Sequence, residues 1–302
     1  MQASSPSTSG AHDISLESVF QLSGADARLF LQGQTTADFK KAAVGAQLHA
    51  AFCNSKGRVL ADTLAVVVAE DIVLLRGRES VMTELAIHLK PYLAFSKSAL
   101  TRLDLTVHCH RVESAAIIDP ERAEIYEKNG ALSAVAIGRG KGFVEYWHTG
   151  EAPIRHDSGG AISLTHVDFE MARARIEATT VGAYLPQDLD YDLNGTVSFS
   201  KGCYTGQEIV ARLHYRGTPK RRLYRATLPD TAQSPVPGDG ISNEEGQRVG
   251  SLVNILSLNG QLGALLEVVP EATSTPLFIN ESQLPLLSLA ACHPVADQSI
   301  GS

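Results

Sequence analysis

Two runs rich in β-branched residues, Val59–Val68 and Ile72–Leu75, stand either side of Ala69-Glu70-Asp71. Their spacing predicts a β-hairpin. A helix is expected next, from Ser80 to Lys90, stopped by Pro91. Short strands are expected at Leu103–His110, Ala115–Ile118, Ala134–Ile137 and Phe143–Trp147, with a loop at Asp157–Gly160. Further helices are expected at Ser23–Gln32, capped by Ser23 and ended by Gly33, and at Val167–Ala178. A Pro-containing loop, Tyr184–Asp188, follows. Helices and strands thus mix without regular βαβ alternation, which argues for an α+β fold over a doubly wound sheet.

After Arg225 the composition changes. Pro229, Pro235, Pro237, Gly238 and Gly240 cluster, and two β-type runs, Arg248–Leu256 and Leu262–Val269, flank the hairpin signal Asn259-Gly260. A small antiparallel barrel or sandwich is expected there. The expected divisions are a disordered start (1–13), an α+β region (14–222), a C-terminal β-barrel (223–295) and a tail (296–302).

The chain has 302 residues, 44% of them hydrophobic and 20% charged, enough for two or three packed units. No apolar run reaches the ~18–20 residues that cross a bilayer. Its four cysteines form no C-x-x-C pair, and the start lacks a secretory pattern, so a reduced cytoplasmic protein is expected. No zinc-ligand spacing occurs. His108 and His110 can share one strand face, but third and fourth ligands are missing and no metal is expected. The net charge of −7 argues against direct nucleic-acid binding. Nothing resembles a coiled coil, and a monomer is favoured.

The segment Ser200–Arg216 carries most of the chemistry. The short apolar strand expected at Val197–Phe199 leads into a turn that holds Cys203. Thr205 and Glu208 have capping-box spacing, which starts a helix at Gly206. A helix N-terminus and the ammonium of Lys201 would both favour a thiolate at Cys203. That sulfur has three readings: a small buried hydrophobe, a nucleophile, or a transient thiolate ligand to iron or an iron–sulfur species. One cysteine cannot hold a cluster alone. His214 pairs with Cys203 only through a tertiary contact. Between Lys201 and Arg225 stand Arg212, Arg216, Lys220, Arg221 and Arg222, opposed by the single acid Glu208. This is either a solvated face or a site for an anionic ligand. Phe199, Tyr184, Tyr204 and Trp147 are candidate aromatic walls, Tyr204 foremost.

Lys-Gly-Cys-Tyr-Thr-Gly-Gln-Glu, residues 201–208, resembles the signature of the YgfZ-type folate-binding proteins, relatives of the aminomethyltransferase (T-protein) of the glycine cleavage system. Gly24-x-Asp26-Ala27, Phe30-Leu-Gln-Gly-Gln-Thr-Thr36-x-Asp38 and Asn54-Ser-Lys-Gly57-Arg-Val-Leu-Ala61-Asp62 also resemble that family. The resemblance implies α+β units around a central channel, with a C-terminal antiparallel β-barrel packed on them. It implies tetrahydrofolate as cofactor and a role in assembling or repairing iron–sulfur clusters in client proteins, including tRNA-modifying enzymes.

Arg173-Ala-Arg175-Ile176-Glu177-Ala178 resembles the segment whose glutamate binds the pterin ring, with Glu177 at that position and Thr179 where the family usually has Gly. The aspartate pair of true aminomethyltransferases is here Ala61-Asp62. The lost carboxylate of that pair, and Cys203 where the resemblance implies that true aminomethyltransferases lack a thiol, favour the YgfZ-type branch. The alternatives are a folate-dependent one-carbon transferase or demethylase using Asp62 and Glu177, and a scaffold that binds no folate. The expected site is therefore Cys203, Lys201 and Asp62 for chemistry, with Glu177, Arg175, Tyr204, Gln207, Glu208, Arg212 and Arg216 for the cofactor.

Overall fold

The computed structural model describes residues 17–112, 118–150, 158–230, 235–258, 260–279 and 284–293. The expected disordered start, the tail, positions 115–117 of one expected strand, Asp157 and the turn residue Asn259 lie outside them. The first sheet contains β1 (Glu17–Ser23), β2 (Gln47–Cys53), β3 (Val59–Ala69), β4 (Ile72–Arg78) and β5 (Ala99–Leu103), in the order β2-β3-β4-β1-β5. Helices α1 (Ala27–Gln34) and α2 (Glu79–Leu93) accompany it. The second contains β6 (Thr106–Val112), β7 (Glu124–Lys128), β8 (Ala131–Gly140), β9 (Phe143–His148) and β10 (Ser158–Ile162), ordered β10-β6-β9-β8-β7. Two short helices follow, α3 (Leu164–Glu170) and α4 (Gln207–Arg216).

The third sheet is built from strands β11 (Arg222–Pro229), β12 (Gly240–Ser242), β13 (Arg248–Leu258), β14 (Gln261–Val268), β15 (Phe278–Ile279), β16 (Leu284–Pro285) and β17 (Ser288–Ala291). It curls as a half-barrel around Ala226, Leu228, Ile241, Leu252, Leu266 and Ile279. The pairing of Leu258 with Gln261 closes the β13–β14 hairpin over residues 259 and 260. The α+β expectation holds.

The apolar runs in β3 and β4 are continuous because the first sheet is covered on both faces. Leu64, Val66 and Leu74 pack with Val135, Ile137 and Trp147 of the second sheet. Their alternates Ala65, Val67, Val73 and Leu75 pack with α1, α2 and the third-sheet residues Val253 and Leu265. Side chains that alternate along a strand reach opposite faces, so one hydrophobic strand serves two cores.

Several expected elements are corrected. Ser23 ends β1 instead of capping α1, and Asp26 at the cap position accepts from the backbone of Lys97. Helix α1 runs through Gly33 to Gln34. Pro91 lies within α2, near its end, where the missing N–H leaves little of the helix to disrupt. The strand expected from Leu103 to His110 is split at Asp104 and Leu105 into β5 and β6, and Ser158–Gly160 opens β10 where a loop was expected. Helix α3 begins earlier, with Ser163 Oγ accepting from His166 N, and ends at Glu170. Ala172 then turns with φ +52° and Arg173–Glu177 runs non-helically. Val197–Phe199 is a bend, not a strand.

Candidate functional site

Three of the segments that carry the resemblance, 201–208, 30–38 and 54–62, converge in space. Lys201 Nζ donates to the carbonyls of Gln32, at 2.7 Å, and Thr35. Thr205 N donates to Gly33 O at 3.1 Å. Gly206 packs so closely on the Asn54–Gly57 turn that a Cβ there would stand 2.4 Å from Asn54 O. Thr36 Oγ1 donates to Thr196 O, and Ser198 N donates back to Thr36 O. The loop before α4 is thereby bound to α1 and to the β2–β3 turn.

Helix α4 begins at Gln207, with Gly206 at its cap in the left-handed region (φ +83°) and no side-chain cap bond. The expected capping box is thus replaced by a glycine turn, which only a residue without Cβ adopts at this distance from Asn54. Cys203 is exposed, whereas Cys53 and Cys109 are buried and Cys292 is half-buried. Burial pushes each of those three thiols up to about 12. Cys203 is therefore the one cysteine open to a partner.

Lys201 is tied into the fold. It is buried, its hydrogen bonds go to carbonyls and not to Cys203, and its ammonium lies 4.8 Å from the centre of the Tyr204 ring. Burial pushes its pKa down to about 8, against the opposing charge of Asp38. Tyr204 is buried beneath it. Gln207 is half-buried, and Glu208, Arg212, Arg216 and Lys220 are exposed. Arg221 pairs with Glu267, Arg222 pairs with Asp190 and Asp192, and Arg225 donates to Phe169 O. The basic run is thus partly structural, and Arg212, Arg216 and Lys220 are its solvent-facing cations. His214 stacks on Phe199 at 3.6 Å rather than turning to Cys203.

Asp62, Arg175 and Glu177 form a second group. Among the described residues no hydrogen bond or ion pair joins it to the first. Asp62 is enclosed: Oδ1 accepts from Ile176 N at 2.6 Å, and Oδ2 accepts from Arg175 Nε. Asn254 of β13 reads the same backbone, its Oδ1 accepting from Arg175 N at 2.8 Å and its Nδ2 donating to Arg175 O at 3.0 Å. These bonds replace the helical ones expected for 173–177 and hold the segment open.

Glu177 ends that segment with its side chain 26% exposed. Its Oε1 faces Arg78 Nη2 at 3.1 Å and accepts from Asn254 Nδ2 at 3.1 Å. Two donors fill Oε1 and leave Oε2 open among the described residues. Burial raises the Glu177 carboxyl, and Arg78 and then Arg175 oppose that rise.

Arg175 is only 3% exposed and binds Asp62, Asp168 (2.9 Å) and Glu17 (3.3 Å). It belongs to a buried ionic lattice that no motif announced. Arg76 makes a two-pronged pair with Glu145, both contacts at 2.8 Å, and reaches Glu17 at 3.1 Å. Arg139 joins Glu145 to Asp168, and Trp147 Nε1 donates to Glu145 Oε1 at 2.6 Å. Burial alone would raise Glu17, Glu145 and Asp168, but the surrounding guanidiniums outweigh it and hold all three below the ordinary carboxylate range. The available signal was a charge inside an apolar strand: Arg76 follows Ile-Val-Leu-Leu, and Glu145 sits between Val144 and Tyr146.

Trp147 and Tyr184 are core residues, and Tyr184 donates to Leu252 O. His108 stacks on His148 at 5.0 Å, and no cluster of three metal-capable side chains occurs among the described residues. Among the described residues no helix is long and apolar enough to cross a membrane.

No protein-family profile matches the chain. It is 28% identical to the tRNA-modifying protein YgfZ of Photobacterium profundum, over 81% of this chain and 79% of that one. It is 29% identical to the protein of the same name from Pectobacterium atrosepticum, over 67% and 66% of the two chains. The glycine cleavage system aminomethyltransferase T of Bartonella henselae has a similar structure, with a TM-score of 0.66 over 93% of this chain and 84% of that one, at 13% identity. The resemblance read in residues 201–208 is borne out: the chain is a relative of the YgfZ proteins and has the fold of aminomethyltransferase T.

Proposed function

We propose that this is a tetrahydrofolate-binding protein that assists the assembly or repair of iron–sulfur clusters in client proteins, among them enzymes that modify tRNA. The observation that carries the folate part is the carboxylate of Glu177. Arg78 and Asn254 fix it through Oε1, and Oε2 is open at a partly exposed position. A pterin presents an amino group and a ring N–H, and an open carboxylate oxygen is a strong acceptor for either. Residues Asp62, Arg175 and Asn254 position Glu177 by holding its backbone. The exposed Arg212 and Arg216 suit a glutamate tail or an acidic client surface.

Cys203 supports the iron–sulfur part, since it is an exposed thiol on a turn clamped at both ends. It would lend a thiolate to a cluster held mainly by the client, consistent with the need for further ligands. The transferase alternative requires Asp62 to exchange a proton with substrate. Both Asp62 oxygens are already engaged by the 175–176 backbone and guanidinium, which favours the accessory role.

Complementation of a strain lacking the protein tests this reading. Cys203→Ser and Glu177→Ala are each expected to fold normally and to fail to restore activity of tRNA-modifying iron–sulfur enzymes. Full rescue by both variants would overturn it.

A further inference from the structure

A cavity borders the ionic lattice at Arg139. It has a volume of about 210 Å³ and is lined by Gln47 and His49 of β2, Gly138, Arg139 and Gly140 of β8, Pro120, Met171 and Arg173. None of Cys203, Asp62 and Glu177 lines it. Bulk water occupies about 30 Å³ per molecule, so the space suits a compact ligand with a few waters.

Its polar groups are incompletely satisfied. Arg173 donates from Nη1 to Thr196 Oγ1 at 3.1 Å and has no carboxylate partner among the described residues. It differs in this from Arg76, Arg78, Arg139 and Arg175, each of which is paired with a carboxylate. Burial, and then the like charge of Arg139, push the Arg173 pKa down to about 10. A guanidinium has five N–H donors in a planar fork, so most of Arg173's capacity is unused. Gln47 Nε2 donates to the carbonyls of Pro120 and Gly138, which fixes the amide orientation. Its Oε1 is left buried without a partner. His49, on the same wall, is held well below its ordinary pKa, by burial first and then by Arg173 and Arg139.

We infer that this cavity binds a compact oxyanion, the carboxylate or phosphate group of a small ligand, with Arg173 as its counter-charge and Gln47 Oε1 accepting from a donor on the same ligand. The donor capacity left on Arg173 and the unpaired acceptor of Gln47, both lining this cavity, call for a partner that carries both an anionic oxygen and an N–H or O–H. The site is independent of the folate reading, because it uses no residue of the Glu177 group as a contact.

Calorimetric titration of the full-length protein with sodium phosphate, and separately with sodium malonate, tests it. Saturable binding of either anion is expected, weakened at least tenfold by Arg173→Gln and unchanged by Lys90→Gln, which removes an exposed cation of α2. Binding of phosphate alone would assign a phosphate-bearing ligand, and binding of malonate alone a carboxylate. Should Arg173→Gln fail to fold, His49→Leu places apolar atoms in the cavity beside an intact Arg173, and the same weakening is expected. The inference is overturned if neither anion binds saturably, or if binding survives both cavity variants. Failure of tetrahydrofolate to bind would leave it untouched.

Discussion

Asp62 Oδ1 accepts a hydrogen bond from Ile176 N at 2.6 Å, so a strand of the first sheet fixes the backbone that presents Glu177. The same carboxylate receives Arg175 Nε. Removing one partner from a buried charged pair costs about 3–5 kcal/mol, because the other charge stays buried. Arg175 keeps Asp168 and Glu17 as partners, so Asp62→Ala is expected to cost less, about 1–3 kcal/mol in urea denaturation. Asp62→Asn keeps an acceptor for Ile176 N and should lose less. Equal, near-zero losses would show that the segment holds its shape without Asp62.

Gly206 is expected to tolerate no side chain. It combines φ +83° with a backbone oxygen 2.4 Å from any added Cβ. A non-glycine residue in that region costs roughly 1 kcal/mol, and displacing the Asn54 turn adds to it. Gly206→Ala should destabilise by about 2–3 kcal/mol in the same assay. Gly130, also at positive φ but with open space around it, should lose only about 1 kcal/mol on the same change.

The buried carboxylates set an acid limit. The folded-state pKa values of Glu17, Glu145 and Asp168 lie below their ordinary values, so their contribution is fully present above the unfolded values, about 4. It is lost as pH falls through the lower folded values. Thermal midpoints should therefore fall steeply below about pH 4, and Glu145→Gln should flatten that fall while lowering stability at pH 7.

Glu267 has the opposite sign. Burial raises it to about 7, although Ser251 and Arg221 oppose the rise. The folded chain then binds a proton more tightly than the unfolded chain, so stability is lost as pH rises from about 4.5 towards 7. Glu267→Gln should match the wild type near pH 4 and exceed its melting temperature at pH 8. No difference at pH 8 would contradict this.

Cys203 should be the single fast thiol. In the folded protein a bulky aromatic disulfide reagent is expected to titrate one cysteine rapidly, and none in Cys203→Ser, with the remaining thiols appearing only on unfolding.

How much of this was legible in sequence depended on whether neighbouring residues decided the local structure. The hairpin of β3 and β4 was readable, because β-branched residues in two short runs allow little else. The segment Arg173–Glu177 was not. Its Ala, Arg and Glu residues suit a helix, but Asp62 and Asn254, far away in sequence, take its backbone groups. Thr205 and Glu208 had capping spacing, yet the contact of Gly206 with Asn54 set the helix start instead. Motif resemblance singled out Cys203, Lys201 and Glu177, but not that Glu177 would stand in a separate group held by Arg78 and Asn254. That Lys201 would turn to Gln32 and Thr35 was not readable either, since it depends on how α1 packs. The ionic lattice stayed hidden because Glu17, Arg76, Arg139, Glu145 and Asp168 come from four strands and a helix and meet only in three dimensions.

The central claim is that Glu177 belongs to a folate site. Anaerobic calorimetric titration of the reduced protein with tetrahydrofolate, beside Glu177→Ala, tests it most directly. Saturable binding by the wild type, weakened at least tenfold in Glu177→Ala, is the predicted result. No binding by the wild type, or equal binding by both proteins, would contradict it.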